Sequence, residues 1–172
     1  MLSKCKAKKF LICLILPGML IMSGCSDIRL KPTAKDPELL ALGKFAEQVT
    51  VHLLAMNPNT YQEYQADLVN DLAPDALAQL MTHGVCAKSA SEAAKTAKTI
   101  EQTNQRCLIQ IQSTSFPSRA TTRGLVPVEV TGNCVKSQGY TSKGSKFDVF
   151  YLIGTNVKTK RPIVASVEIK QF

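Results

Sequence analysis

The first half of the chain has the apolar period of an α-helix. From residue 36 to about residue 55, apolar side chains recur every three or four positions, which places them on one helical face. Asp36 can cap the start of this helix, and Pro37 suits its first turn. The pattern predicts an amphipathic helix with one buried face, formed by Leu39, Leu42, Phe45, Ala46, Val49, Leu53 and Met56.

Start and stop signals predict three more helices before residue 103. Residues 60–63 (Thr-Tyr-Gln-Glu) have the pattern of a capping box, and Pro74 opens a third helix that ends at His83-Gly84. Residues 89–92 (Ser-Ala-Ser-Glu) repeat the capping-box pattern for a fourth helix that reaches about Thr99. This fourth helix has few apolar side chains, and we expect it to be a loose surface element.

After Arg106 the apolar period changes to two, as in a strand with one buried face. The alternation covers residues 107–111 and 126–130, then 146–153 and 163–170, which predicts two antiparallel hairpins. Helices over 36–102 followed by a sheet over 106–171 predict a single domain, 36–172, of the α+β class. We expect the inward side chains of the second hairpin to be Phe147, Val149, Tyr151, Ile153, Ile163, Ala165, Val167 and Ile169.

Cysteines give the first hairpin an expected register. If its turn is centred between residues 120 and 121, Cys107 lies opposite Cys134 and the apolar faces of both strands coincide. We therefore expect a Cys107–Cys134 disulfide. Cys86 is the rival partner for either cysteine, and free buried thiols are the other alternative, because a cross-strand disulfide is geometrically demanding.

The N-terminal segment has the parts of an export signal. Basic residues between positions 4 and 9 precede an apolar stretch over 10–22, which is too short to span a hydrocarbon layer of roughly 30 Å comfortably. Residues 22–25 (Met-Ser-Gly-Cys) resemble the bacterial lipobox. The resemblance implies that 1–24 is a cleaved signal peptide, that Cys25 is acylated, and that 25–35 is a lipidated tether.

Acyl chains on Cys25 predict stable attachment to a membrane, because each buried methylene contributes about 0.8 kcal/mol. Ser26 follows the cysteine, and by resemblance to the sorting pattern of enteric lipoproteins this favours transfer to the outer membrane. We therefore expect a periplasm-facing outer-membrane lipoprotein, with the inner membrane as the alternative.

Charge is distributed unevenly along the chain. Loss of the signal lysines lowers the formal net charge from +8 to about +4. Residues 36–102 carry four lysines and nine acids, whereas 103–172 carry ten lysines or arginines and three acids. Such polarity favours docking onto a charged partner, with solvated loops as the alternative. The predicted docking patch comprises Lys143, Lys146, Lys158, Lys160 and Arg161, and Arg119 and Arg123 lie on the other predicted turn.

Three segments resemble a known group of proteins. They are 57–64 (Asn-Pro-Asn-Thr-Tyr-Gln-Glu-Tyr), 72–77 (Leu-Ala-Pro-Asp-Ala-Leu) and 164–172 (Val-Ala-Ser-Val-Glu-Ile-Lys-Gln-Phe). They resemble the periplasmic domains of type IV secretion assembly proteins of the DotI/IcmL group, and the order of elements is similar to the nuclear transport factor 2-like cone. The resemblance implies helices packed on a curved four-stranded sheet. It also implies an accessory component of a secretion or conjugation machine that works with other envelope proteins.

Candidate chemistry is sparse, and we expect no enzyme. Glu129, Asp148 and Glu168 alternate with the inward residues of the predicted strands, so their carboxylates should point away from the core. His52 borders an apolar helical face and His83 lies at a helix end, and neither has an evident nucleophile beside it. We expect no metal, cofactor or nucleic-acid partner. A stand-alone lipoprotein that binds a small apolar ligand in its cone is the alternative function, and a homo-oligomer is possible.

Overall fold

The computed structural model describes residues 29–30, 36–117 and 124–171. Cys25, Ser26, Arg119 and Arg123 lie outside these residues. Within them the predicted α+β class is confirmed: helices are followed by an antiparallel sheet. The elements are β1 (Arg29–Leu30), α1 (Pro37–Leu54), α2 (Tyr61–Asp71), α3 (Pro74–Thr82), α4 (Ala90–Thr103), β2 (Gln105–Pro117), β3 (Val126–Gln138), β4 (Thr141–Thr155) and β5 (Pro162–Gln171).

Two of the three predicted side-chain caps are present. The Asp36 carboxylate accepts hydrogen bonds from the backbone N–H of Glu38 at 3.1 Å and of Leu39 at 3.3 Å. The Ser89 hydroxyl accepts from the N–H of Glu92 at 3.2 Å, as a capping box requires. Each cap satisfies backbone donors that the first helical turn leaves without an internal partner.

The capping box predicted at Thr60 is wrong. The Thr60 side chain makes no capping hydrogen bond, and its buried Oγ1 has no partner among the described residues. The preceding turn instead holds the chain through Asn57, whose backbone carbonyl accepts from the N–H of Tyr61 at 2.9 Å. A local backbone turn at Asn57 therefore replaces the side-chain cap.

Helix α4 is part of the packed fold, so the expected loose surface element is wrong. Ala93, Ala97 and Ile100 are buried on one side of the helix, which packs against α2 and β2. Alanines contribute little apolar area, but their small side chains allow helices to approach closely. The helix ends at Asn104, whose φ of 47° lets the chain turn directly into β2.

The core lies between the helices and the inner face of the sheet. The expected inward residues of β4 are confirmed, because Phe147, Val149, Tyr151 and Ile153 are almost fully buried in one cluster with residues of α1 to α3. The Tyr151 hydroxyl lies 2.6 Å from Thr50 Oγ1, which in turn donates to the Ala46 carbonyl. This hydrogen-bonded pair allows a phenol to occupy the centre of the core.

The expected register of the first hairpin is wrong by two residues as far as Ile111, and a β-bulge between Ile111 and Ser113 adds one more residue beyond it. Cys107 lies opposite Lys136, and Cys134 lies opposite Ile109. A two-residue offset keeps every side chain on its expected face, because strands alternate with period two. The apolar pattern therefore could not distinguish the two registers.

A β-bulge changes the inward set of β5. Ile153 pairs with Val164, whereas Leu152 pairs with Ser166, so Ala165 is the extra residue. Val164 is 0 % exposed and replaces Ile163 and Ala165 as the inward residue, while Val167 is buried as expected. The bulge aims the Val164 carbonyl at the N–H of Ala73, which donates to it at 2.8 Å, so the α2–α3 junction is fixed to the sheet.

The sheet has two distinct ends. At the proximal end, Arg29 and Leu30 of the predicted tether pair with Pro117 and Phe116, and the loop 156–161 joins β4 to β5. At the distal end, β2 begins and the turn after Gln138 joins β3 to β4. Among the described residues, no helix has the length and apolarity needed to cross a membrane.

Candidate functional site

The cysteines separate into one bonded pair and one free thiol. Cys107 and Cys134 are joined by a disulfide between diagonal positions of β2 and β3, with 6.1 Å between their Cα atoms. Cys86 is free and buried, and burial raises the pKa of its thiol to about 11. At neutral pH Cys86 is therefore a protonated core side chain and not a nucleophile.

The residues of the predicted docking patch do not form one surface. Lys143 and Lys146 lie on β4 near the distal end, whereas Lys158, Lys160 and Arg161 lie in the loop 156–161 at the proximal end. The nine residues from Lys146 to the end of β4 span about 30 Å at the rise of a strand. The five residues thus lie at opposite ends of the sheet, and a partner surface of modest size would face one of the two groups.

The distal end carries a basic groove of about 420 Å³, which we call the distal groove. Lys136 and Lys143 lie directly opposite each other on β3 and β4, and Arg106 lines the same groove from β2. Sequence reasoning missed Arg106 and Lys136, because only strand pairing brings them beside Lys143. The other lining residues are Met56, Gln105, Ser137, Gln138, Thr141 and Ser142.

A second cavity, which we call the helix pocket, lies between the helices and β5. It has a volume of about 430 Å³, and its apolar lining includes Leu53, Met81 and Ile169. Tyr61 and Glu92 add polar groups to the wall. Burial raises the pKa of the Tyr61 phenol, the nearby Cys86 and Glu92 add to this rise, and a hydrogen bond with the Thr96 side chain opposes it.

His52 is buried between two acidic side chains of α2. Its ring stacks on Tyr64 with 4.5 Å between centroids, and its nitrogens lie 3.8 Å from Asp67 and 3.9 Å from Asp71. Both distances are too long for hydrogen bonds. Burial raises the pKa of Asp71, the His52 ring opposes that rise and Asp67 adds to it. No nucleophile faces this cluster among the contacts described, so it resembles a packing contact between α1 and α2.

The strand carboxylates lie on the outer face of the sheet, where alternation places them. Lys170 Nζ lies 2.8 Å from Glu129 and 3.7 Å from Asp148, and 5.4 Å from the centroid of the Phe150 ring. Glu129 and Asp148 are thus ion-paired with Lys170. In the part of the chain that the structure describes, no group of three histidines, cysteines or acids is arranged to hold a metal ion.

Comparison with known proteins leaves the family open. The chain matches no known protein family and no curated protein. Among solved structures, it has a weak likeness to the intermembrane space region of the chloroplast protein ARC6. The two are 12 % identical, the likeness covers 76 % of this chain and 97 % of that one, and the TM-score is 0.34. A similarity this low carries no functional argument.

Proposed function

We propose that this chain is an envelope lipoprotein that acts as an interaction component of a type IV secretion or conjugative transfer machine. Support for the anchor comes from residues 22–25, which resemble a lipobox, and support for the machine comes from the resemblance of three segments to the DotI/IcmL group. The folded domain then serves as a tethered docking module held on the outer membrane, and the inner membrane is the alternative.

The distal groove carries the docking part of the proposal. Arg106, Lys136 and Lys143 concentrate positive charge around one concave surface at the end of the sheet opposite to the predicted lipid. A tethered protein offers its far end to partners in the periplasm. Acidic side chains of another envelope protein fit this groove, because complementary charge directs encounter and register.

The test is crosslinking of the full-length, tagged chain in its native bacterium, followed by identification of bound proteins. We expect subunits of an envelope-spanning secretion machine to be recovered. Lys143→Glu with Lys146→Glu should lower that recovery at least fivefold, because it reverses charge at and beside the distal groove. Lys95→Glu with Lys98→Glu is the matched control, since both lysines are exposed on α4 and it makes the same charge change outside the lining of the distal groove.

Two results would reject this proposal. If the recovered proteins include no secretion subunit, the proposed role in a secretion machine is wrong. If both double variants recover equal amounts of partner, docking at the distal groove is wrong. Anchoring is checked separately by mass spectrometry of the mature N-terminus. Acyl chains should be present on Cys25 and lost in Cys25→Ala, whereas an intact Met1 would contradict the lipoprotein assignment.

The helix pocket favours a second candidate, a lipoprotein that holds a small apolar ligand. Its largely apolar wall, with the Tyr61 hydroxyl as one polar group, has the character of a ligand site. Protein purified from native membranes should then retain one defined small molecule in native mass spectrometry. Thr96→Phe, which narrows the pocket, should release it, and Thr99→Phe on the same helix but outside the pocket lining should not.

A further inference from the structure

The proximal end carries a compact basic loop between β4 and β5. Within four residues it presents Lys158, Lys160 and Arg161, all exposed, and none forms an ion pair with a described residue. Val157 beside them is 81 % exposed. The loop therefore combines three cations with an exposed apolar side chain at its tip.

The loop is held in one conformation by its own hydrogen bonds. The Asn156 side chain accepts from the N–H of Lys158 at 2.9 Å and of Thr159 at 3.2 Å. The backbone N–H of Asn156 donates to the Arg161 carbonyl, and that of Lys160 donates to the Asn156 carbonyl, each at 2.8 Å. Binding through this loop would therefore cost little ordering of the backbone.

The predicted lipid attachment lies at the same end of the sheet. Cys25 precedes Arg29 by four residues, and a chain of that length reaches at most about 14 Å. Arg29 pairs with Pro117 at the proximal end of β2. The strands lie in the order β1-β2-β3-β4-β5, so with a spacing of about 4.8 Å the β4–β5 loop lies roughly 17 Å across the sheet edge from β1. The loop is thus brought close to whatever surface holds the acyl chains.

From this juxtaposition we propose that Lys158, Lys160 and Arg161 contact the anionic headgroups of the membrane into which Cys25 is anchored. The inference rests on the lipoprotein assignment proposed above and adds an orientation to it. The acyl chains and the basic loop form two membrane contacts along the proximal edge. The proximal end of the sheet therefore faces the membrane, and the distal groove faces away from it. Val157 lies at the level where an apolar side chain can enter the interface.

Acidic residues at the proximal end set the tilt of the domain. Asp36 and Glu38 start α1, and Asp71 and Asp75 flank the α2–α3 junction that contacts Val164. These carboxylates belong to the helical layer, whereas the basic loop belongs to the sheet. Repulsion from anionic lipid should therefore lift the helical layer and favour contact through the sheet edge.

The experiment places a fluorophore at either end of the full, acylated chain in vesicles. Val157→Cys marks the loop, and Tyr140→Cys marks the distal turn, where Tyr140 is fully exposed. Cys86 should not react with maleimide, because it is buried and its thiol pKa is about 11. The vesicles contain phosphatidylethanolamine and phosphatidylglycerol with a headgroup spin label as quencher. We expect strong quenching at position 157 and little at position 140.

Charge variants test the cause of that contact. Lys158→Glu with Lys160→Glu should lower quenching at position 157 at least twofold, while Lys143→Glu with Lys146→Glu should leave it unchanged. Vesicles of phosphatidylcholine alone, or 0.5 M salt, should reproduce the loss without any substitution, because screening at that ionic strength shortens the Debye length to roughly 4 Å. This second arm keeps the test valid if a loop variant folds poorly.

The outcomes distinguish the orientation from the anchor. If the chain floats with the vesicles but position 140 is quenched as strongly as 157, the orientation is wrong and the lipoprotein stands. If quenching at position 157 does not change with lipid charge, salt or the loop substitutions, the proposed contact between the loop cations and anionic headgroups is wrong. A chain that lacks acyl groups and does not float overturns both proposals.

Discussion

The two faces of the sheet bury side chains by different means. On the inner face, Phe147 and Tyr151 are covered by helices and by neighbouring strands, in one continuous core. On the outer face, Phe150 is also nearly buried at 7 % exposed, yet it lies outside that core and under the ion-paired Lys170. Phe147 and Phe150 are thus both nearly buried, but by different kinds of neighbouring groups. When a side chain packed under helices and strands is truncated, a cavity remains because these elements cannot move in. When the side chain is packed under a flexible side chain, that neighbour can fill the space.

The largest expected effect compares these two phenylalanines on one strand. Phe147→Ala should lower the free energy of unfolding by about 4 kcal/mol, because helices and strands cannot close the cavity. Phe150→Ala should cost about 2 kcal/mol, mainly the lost transfer of its own area. Denaturant unfolding of both variants measures the difference. Equal costs would mean that the outer face is packed as rigidly as the inner one.

The disulfide on the inner face gives the next effect. Cys107 and Cys134 are separated by 27 residues, so replacing both by alanine should cost about 3.5 kcal/mol, through the entropy of the unfolded chain. Cys86→Ala is the control for loss of a buried sulfur and should cost about 1 kcal/mol. Unfolding with and without reductant checks both values. A double variant no less stable than Cys86→Ala would contradict this contribution.

A glycine on the inner face explains how the Phe147 ring fits. A Cβ at Gly132 would clash with the Gln110 carbonyl and lie 2.5 Å from Phe147 Cζ. Gly132→Ala should therefore cost about 2 kcal/mol through overpacking. Gly144 on β4 has open space around it, and Gly144→Ala should stabilise by about 0.5 kcal/mol. Thermal unfolding compares the two, and similar melting temperatures would reject the steric account.

The inner hydrogen bond should matter moderately. Tyr151→Phe removes the hydroxyl that lies 2.6 Å from Thr50 Oγ1, while Thr50 keeps its bond to the Ala46 carbonyl. Because no polar group is left without a partner, the cost should be about 1 kcal/mol in urea unfolding. Thr50→Val is the informative counterpart, since it leaves the phenol buried without an acceptor. We expect it to cost more, and the reverse order would contradict this arrangement.

The smallest effect belongs to the outer ion pair. Lys170→Met keeps the aliphatic contact with Phe150 and removes the charge near Glu129 and Asp148. It should cost roughly 0.5 kcal/mol at low ionic strength and less in 1 M salt, because exposed pairs are weak and screened. Urea titrations at both salt concentrations test this. A cost that does not change with salt would show that the contribution is packing and not charge.

Local signals predicted all four helices and all four long strands of the described residues. Asp36 and Ser89 cap as expected because a cap depends on residues within one turn. Thr60 does not, because its neighbours form a different turn around Asn57. The prediction that α4 is a loose surface element was also wrong. Buried alanines register weakly in an apolar pattern, although they allow the closest packing between helices.

The candidate sites depended more on tertiary structure. The basic residues of the second half were recognised from sequence, but pairing between strands decides that Lys143 joins Arg106 and Lys136 and lies far from Lys158. The helix pocket combines residues from all four helices and β5, which no local pattern connects. Local patterns therefore did not predict the sites that long-range pairing builds, and of the basic residues in the distal groove they singled out Lys143 but not Arg106 or Lys136.

By itself, the sequence determined the class of fold, the helical and strand periods and the inward face of β4, because each depends on neighbours within a few residues. Tertiary structure decided the strand register, the bulge that turns Val164 inward and the separation of the basic residues into two ends. The physical reason is that apolar alternation repeats every two residues. A shift by two preserves burial on each strand, so only the packing of helices and strands against one another can choose between the alternatives.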